Sequence, residues 1–368
     1  MSIRLVAFAL PFSLLVACGG SSSDGTDATG GSGSADAGIC TSNDNAPLVG
    51  KKYSLHWGPV AVQPGIENTQ CIWMKLSNTE AVKIHQIHNS LSQASHHLIV
   101  YRDDLDKTEQ TTPMDCQPFT GALNSTGNVE PVVITQKKDD EITLPAGVAY
   151  TFAPNQMVKI EMHYINTTDA AIMATADVDV YAADATTITD EAAVLFNGSP
   201  DIDIQAGAVA GAPSTIVHEF LTVPDSLDLS HSHIFAITGH THKHGIDVKV
   251  STASAKGGAL TSVYNPSPFE WAEPLTENQC PDFSVPKGGG FDFECDYDNT
   301  GGAEARFGEK TTDEMCFFWA YYYPAIVPAG ATSGSHVCVH SNQFGGTNGI
   351  DLCCPDAGSI CDQVLAQH

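Results

Sequence analysis

Short β-rich runs separated by turn residues constrain this 368-residue chain more than any other feature. They include Leu98-Ile99-Val100-Tyr101, Met157 through Tyr164, Val178 through Tyr181, Ala193 through Phe196, Ile234 through Ile237, Ile246 through Val250 and Met315 through Tyr323. Apolar residues at helical three-four spacing are scarce, and 32 Gly and 20 Pro interrupt the sequence. Many short strands with turns between them specify antiparallel sandwiches or jelly rolls. The expectation is an all-β protein of two antiparallel, jelly-roll-like β-sandwich domains, residues 40–185 and 186–368, with the boundary between Ala182 and Asp190.

The N-terminus reads as a targeting device. Arg4 provides a basic start, Leu5 through Val16 is apolar but too short to span a bilayer, and Leu15-Val16-Ala17-Cys18-Gly19 is similar to a bacterial lipobox. On this reading residues 1–17 are a signal peptide, and Cys18 is lipidated. An ordinary signal peptide with a chance cysteine is the other reading. Residues 18–39, nearly all Gly, Ser, Asp, Ala and Thr, cannot bury enough apolar area to offset their ordering entropy and form a flexible stalk. The chain is then exported and held at the envelope by lipid, or released, and meets a membrane only through that anchor.

Setting Cys18 aside leaves ten cysteines, an even number in an oxidising compartment, which reads as disulfides. Three are early (Cys40, Cys71, Cys116) and seven late, so full pairing needs at least one early-to-late bridge. A net charge of -27, from 43 acidic and 16 basic residues, argues against nucleic acid or an anionic lipid surface as partner.

The candidate chemistry lies in four stretches. In Gly239-His240-Thr241-His242, between two β-like flanks, a period of two puts both imidazoles on one face, either as surface polar groups or gripping one metal. In Ser95-His96-His97-Leu98 the adjacent pair can serve one metal only at a bend or strand end. His163 sits with Glu161 and Ile165 on one strand face, where a lone histidine is ordinarily structural. In Glu314-Met315-Cys316-Phe317-Phe318-Trp319, Met315, Phe317 and Trp319 share one face and Cys316 and Phe318 the other. Met315 is either a core gap-filler or a soft ligand.

In this order the four stretches resemble the copper type II ascorbate-dependent monooxygenases, the family of peptidylglycine α-hydroxylating monooxygenase and dopamine β-hydroxylase. The resemblance runs in register from about Glu67 to Cys338, with Tyr322-Tyr323-Pro324 closest to the dopamine hydroxylase version. It implies two copper ions facing each other across a solvent-filled cleft, one held by His96, His97 and His163, the other by His240, His242 and Met315. It also implies a Cys295–Cys316 disulfide, a one-electron donor such as ascorbate, and O2 as oxidant at the Met315 site. The product would be a hydroxylated small-molecule substrate. Donor chemistry supports the split independently, because a thioether favours Cu(I) over harder ions.

Departures from the family concern the substrate. Peptidylglycine enzymes carry an arginine before the His-Thr-His motif, and Asn and Tyr on the methionine strand. Here Thr238, Phe317 and Trp319 stand at those places, so the expectation is a neutral or apolar substrate touched by these three residues; the other reading is that Phe317 and Trp319 pack inward and the substrate binds elsewhere. His244, two positions beyond His242, either competes with Met315 or, where the chain turns at Gly245, is exposed or only backs the ligands. A copper-scavenging lipoprotein without catalysis is the main alternative. A zinc hydrolase built on His240, His242 and His244 lacks a general-base carboxylate within the motif.

Overall fold

The computed structural model describes residues 47–116, 128–207, 213–301, 303–342 and 349–354. The signal segment, Cys18, the stalk, Cys40 and Cys361 lie outside the described residues.

The described chain is almost wholly β. Strands β1 (Lys51–Val62), β2 (Glu67–Lys75), β3 (Val82–Leu91), β4 (Ser95–Asp103) and β5 (Gln110–Asp115) come first. There follow β6 (Val129–Thr135), β7 (Asp139–Thr143), β8 (Val148–Phe152), β9 (Met157–Ile165) and β10 (Ile172–Ala183). After a short 3-10 turn come β11 (Asp190–Glu191), β12 (Ala193–Ser199), β13 (Asp203–Ile204) and β14 (Thr215–Thr222). Next are β15 (His233–His240), β16 (Gly245–Ala253), β17 (Thr261–Tyr264), β18 (Thr276–Phe283) and β19 (Gly290–Tyr297). The last are β20 (Ala305–Arg306), β21 (Cys316–Tyr323), β22 (His336–Ser341) and β23 (Ile350–Cys354).

Apart from a two-stranded ribbon of β13 and β20, these strands form two packed pairs of sheets. In the first pair, β1-β10-β3-β8-β11 with β7 is one sheet and β5-β2-β9-β4-β6 the other. In the second pair, β18-β15-β21-β12-β22-β23 packs on β14-β19-β16-β17. Pairing is antiparallel apart from β11 on β8 and β12 on β22. The outer sheets alternate as one-sided sheets must: β10 buries Ala174, Ala176, Val178 and Val180 and turns Asp177 to solvent. Strands β4 and β21 are buried along nearly their whole length, because their sheets are covered on both faces.

The parity of β21 divides the interior. Met315, Phe317, Trp319 and Tyr321 join the core shared with the first pair of sheets, whereas Cys316, Phe318, Ala320 and Tyr322 join the core of the second pair. The Tyr321 hydroxyl fixes the contact by accepting from Ile134 N–H at 3.1 Å. Disulfides Cys71–Cys116, Cys295–Cys316 and Cys338–Cys353 add covalent ties. The second joins β19 to β21 across the sandwich, next to Met315.

Several buried charges are paired. Arg102 reaches Glu130 at 2.5 Å and Glu191 at 2.9 Å, and donates to the carbonyls of Thr151 and Thr332. Lys159 lies 3.4 Å from Glu161, which also accepts from the Tyr101 hydroxyl. His340 stands between Asp351 at 2.6 Å and Glu219 at 3.2 Å. The Asp351 hydrogen bond, opposed by burial and aided by Glu219, raises its pKa. A raised folded-state pKa gives stability that is fully present below the unfolded value of about 6.5 and is lost as pH rises through the folded value. Thermal midpoints of the wild type should therefore fall as pH rises from 6 through 8 by more than those of His340→Gln. Parallel midpoint–pH curves for the two proteins would contradict this.

Candidate metal centre

His96 and His97 lie at the start of β4, where the ladder to β9 slips. Ser95 pairs with Tyr164 and His97 with His163, so His96 is an extra residue bulged out of register. The bulge is the bend that two adjacent histidines need to face one point. His97 and His163 are directly opposed, with ring centroids 4.9 Å apart, and His96 lies 5.2 Å from His163. One ligand nitrogen from each of the three falls within 4.8 Å of the other two, the one such group of His, Cys, Asp or Glu found among the described residues.

The free lone pairs fit a metal. His163 Nε2 is engaged by Glu67 Oε1 at 2.9 Å, leaving its Nδ1 buried with no partner; His96 Nε2 is likewise buried without one. Burial, then the nearby His163 and His242, pushes the His96 pKa down to about 3. Burial and its histidine neighbours hold His97 well below the usual value. These imidazoles are therefore neutral at ordinary pH, the form that binds metals. Burial raises the pKa of Glu67, but the hydrogen bonds from His163 and Thr311 outweigh it and hold the carboxylate at about 2.

His240 is the last residue of β15, and His242 follows in the turn closed by the Gly245 N–H to His242 carbonyl bond of 3.0 Å. Glycine at 245 lets the turn close, because a Cβ there would sit 1.9 Å from the Thr241 hydroxyl oxygen. The two rings are 5.2 Å apart and edge-on. His240 Nδ1 lies 2.8 Å from Gln136 Oε1, and His242 Nδ1 lies 3.1 Å from the Asp313 carbonyl. Both acceptors require a proton on Nδ1, so each Nε2 is left to bind a ligand. Burial holds His240 well below its usual pKa; it brings His242 to about 4 against the opposing Asp313 hydrogen bond.

Glu314 connects this turn to Met315. Its Oε2 accepts His242 N–H at 2.9 Å and its Oε1 accepts His244 N–H at 2.7 Å. Burial raises its pKa to about 7 despite these bonds. Met315, His240, His242 and His97 line one cavity with Ile99, Ile134, Gln136, Phe196, Glu309 and Trp319. The cavity encloses about 390 Å³ of space not filled by atoms, part of it open to solvent.

Three expectations need correction. The two ligand sets are not held apart by a wide solvent-filled cleft: the His96 and His242 rings are 6.3 Å apart, because the aromatic face of β21 packs on Ile99 and Ile134. Of the expected substrate contacts, Trp319 lines the cavity, 5.8 Å from His240. Phe317 and Thr238 do not line it. Phe317 stacks on Phe196 at 5.0 Å over Gly198, where a Cβ would meet its ring at 2.2 Å. Thr238 bonds the Thr276 hydroxyl at 2.8 Å. His244, inside the turn, also lies outside the cavity lining, and so does His233, which stacks on Tyr323.

Sequence reasoning missed Glu67, Gln136 and Trp271. Glu67 reaches His163 diagonally across the β2–β9 ladder, where Thr69 is the residue opposite His163. Strand register is the information needed to find it. Gln136 and Trp271, both outside the strands, meet the histidines through long-range packing of connecting segments, for which the sequence carries no periodic signal.

Fold and site together define an all-β, disulfide-braced protein with a histidine- and methionine-lined centre suited to a soft redox metal. Residues 219–344 match the family model described as copper type II ascorbate-dependent monooxygenase, C-terminal domain, and this match supports the resemblance of the four stretches to that family. No curated protein sequence matches it. Among solved structures, the major capsid protein P2 of bacteriophage PM2 is similar at 10% identity and a TM-score of 0.33, covering 74% of this chain and 97% of that one. PNGase F, a glycosylasparaginase from Flavobacterium meningosepticum, is similar at 10% identity and a TM-score of 0.27, covering 73% and 94%. Likenesses this slight carry no argument.

Proposed function

We propose that the chain is a monooxygenase that hydroxylates a C–H bond of a small organic substrate, using O2 and a one-electron reductant such as ascorbate. Two copper ions would be held, one by His96, His97 and His163 and one by His240, His242 and Met315. The observation that carries this reading is that two chemically unlike donor sets adjoin one largely apolar cavity. Bound copper supplies the electron transfer and oxygen chemistry; the protein supplies geometry and access.

The residues divide the remaining work. Gln136 and the Asp313 carbonyl take the Nδ1 protons of His240 and His242 and so direct both Nε2 atoms to the ligand position. Met315 adds a soft thioether, which favours the reduced metal. Trp319, Phe196, Ile99 and Ile134 exclude water and orient an apolar substrate by contact. Thr238 and Phe317 act from behind this wall rather than on the substrate.

The three disulfides among the described residues suit an oxidising compartment. Export by the N-terminal segment, with a lipid on Cys18, would place the centre at the bacterial envelope, where a diffusible reductant and a small-molecule substrate are its partners.

Copper loading should approach two ions per chain, and ascorbate should drive substrate-dependent oxygen uptake within a panel of amines, phenols and amidated peptides. Two bound coppers with no substrate-dependent uptake would favour a copper-binding protein without catalysis. Zinc binding in preference to copper, with hydrolytic turnover, would overturn both readings.

A further inference from the structure

Two side chains of the first half are each hydrogen-bonded to a histidine of one ligand set and to the backbone of the second half. Glu67, the first residue of β2, takes His163 Nε2–H on Oε1. The same oxygen accepts Thr311 N–H at 2.8 Å, and Oε2 accepts the Thr311 hydroxyl at 3.2 Å. Thr311 is buried in the segment that runs directly into Glu314 and Met315. One carboxylate thus fixes a histidine of the first set and the backbone that delivers the thioether of the second.

A second side chain of the first half makes a link of the same kind. Gln136, just past β6 and buried, fixes His240 through Oε1 at 2.8 Å, while its amide nitrogen donates to the Trp271 carbonyl at 3.3 Å. The Trp271 ring lies 5.9 Å from His96. A first-half side chain therefore sets the tautomer of a second-half ligand, and a second-half aromatic ring backs a first-half ligand. Partners of this kind hold ring orientation, and their loss weakens metal binding by about 10–100-fold.

From these contacts we infer that Glu67 and Gln136 are positioning residues that interlock the two metal sets, so that the geometry of each depends on the other half. This rests on the functional reading above for the identity of the metal, but the tautomers it requires belong to the metal-free protein.

The test uses the full chain with 15N-labelled histidine, first metal-free and then copper-loaded. In the wild type, 15N shifts should show His163 protonated on Nε2 and His240 on Nδ1. Glu67→Ala should leave His163 a mixture of tautomers and weaken copper at the His96/His97/His163 set by about 10–100-fold. It should also change the sulfur component of the copper X-ray absorption spectrum, although His240, His242 and Met315 are untouched. Glu67→Gln, which keeps an acceptor oxygen, should restore both signals. Gln136→Ala provides a second variant should Glu67→Ala not fold; it should release the His240 tautomer and disturb the copper of the first set. An unchanged His163 tautomer in Glu67→Ala, or changes confined to the variant's own half, would overturn the interlock. A wild type that binds no copper would defeat the functional reading instead, and the metal-free tautomers would still decide what Glu67 and Gln136 do.

Discussion

Met315→Leu should be as inactive as Met315→Ala, yet nearly as stable as the wild type. The side chain is buried and shares a cavity with His240 and His242, so it has both a packing role and a ligand role, and the two substitutions separate them. Leucine conserves volume and costs under about 1.5 kcal/mol, whereas truncation of a buried methionine to alanine costs about 2–5 kcal/mol. Neither restores the thioether. Ascorbate-driven turnover should fall at least about 100-fold in both, a barrier increase of about 2.7 kcal/mol. Copper bound by His96, His97 and His163 should remain in both. Activity retained in the leucine variant would show that Met315 only fills space.

Arg102→Ala should have the largest effect on stability. The guanidinium is almost fully buried and pairs with Glu130, which is 1% exposed, and with the partly exposed Glu191. Its carbonyl partners, Thr151 and Thr332, come from the first and second pairs of sheets or the loops beside them. Removing one partner of a buried ion pair leaves an uncompensated charge and costs about 3–5 kcal/mol. Burial already raises the Glu130 pKa against the opposing pull of Arg102, so losing the arginine raises it further. The cost read from urea unfolding should therefore shrink as pH falls and Glu130 takes up a proton. An Arg102→Ala, Glu130→Gln double variant should recover part of the loss at neutral pH. A loss below about 1 kcal/mol, as for a surface pair, would contradict this account of the network.

The parts of the structure that the sequence made legible are those governed by a period of two. The all-β class follows from alternation, and the parity of Met315, Phe317 and Trp319 against Cys316 and Phe318 sorts these residues into two cores. The Cys295–Cys316 bridge came from resemblance, since spacing alone left the pairing open. What stayed hidden depends on pairs of strands rather than single ones. His96 and His97 converge because β4 bulges against β9, and the bulge cannot be located without knowing the partner. Phe317 turns from the cavity because glycine at 198, on the neighbouring strand, leaves room for its ring. Glu67 and Gln136 act across distances of about 100 residues, where neither helical nor strand periodicity reports.

Crystallography of the copper-loaded full chain, with anomalous maps collected at the copper edge, tests the central claim most directly. Two peaks are expected, one among the His96, His97 and His163 rings and one within bonding distance of His240 Nε2, His242 Nε2 and the Met315 sulfur. A single peak shared by all five histidines, or a second peak with Met315 turned away from it, would contradict the assignment of two unlike copper sites.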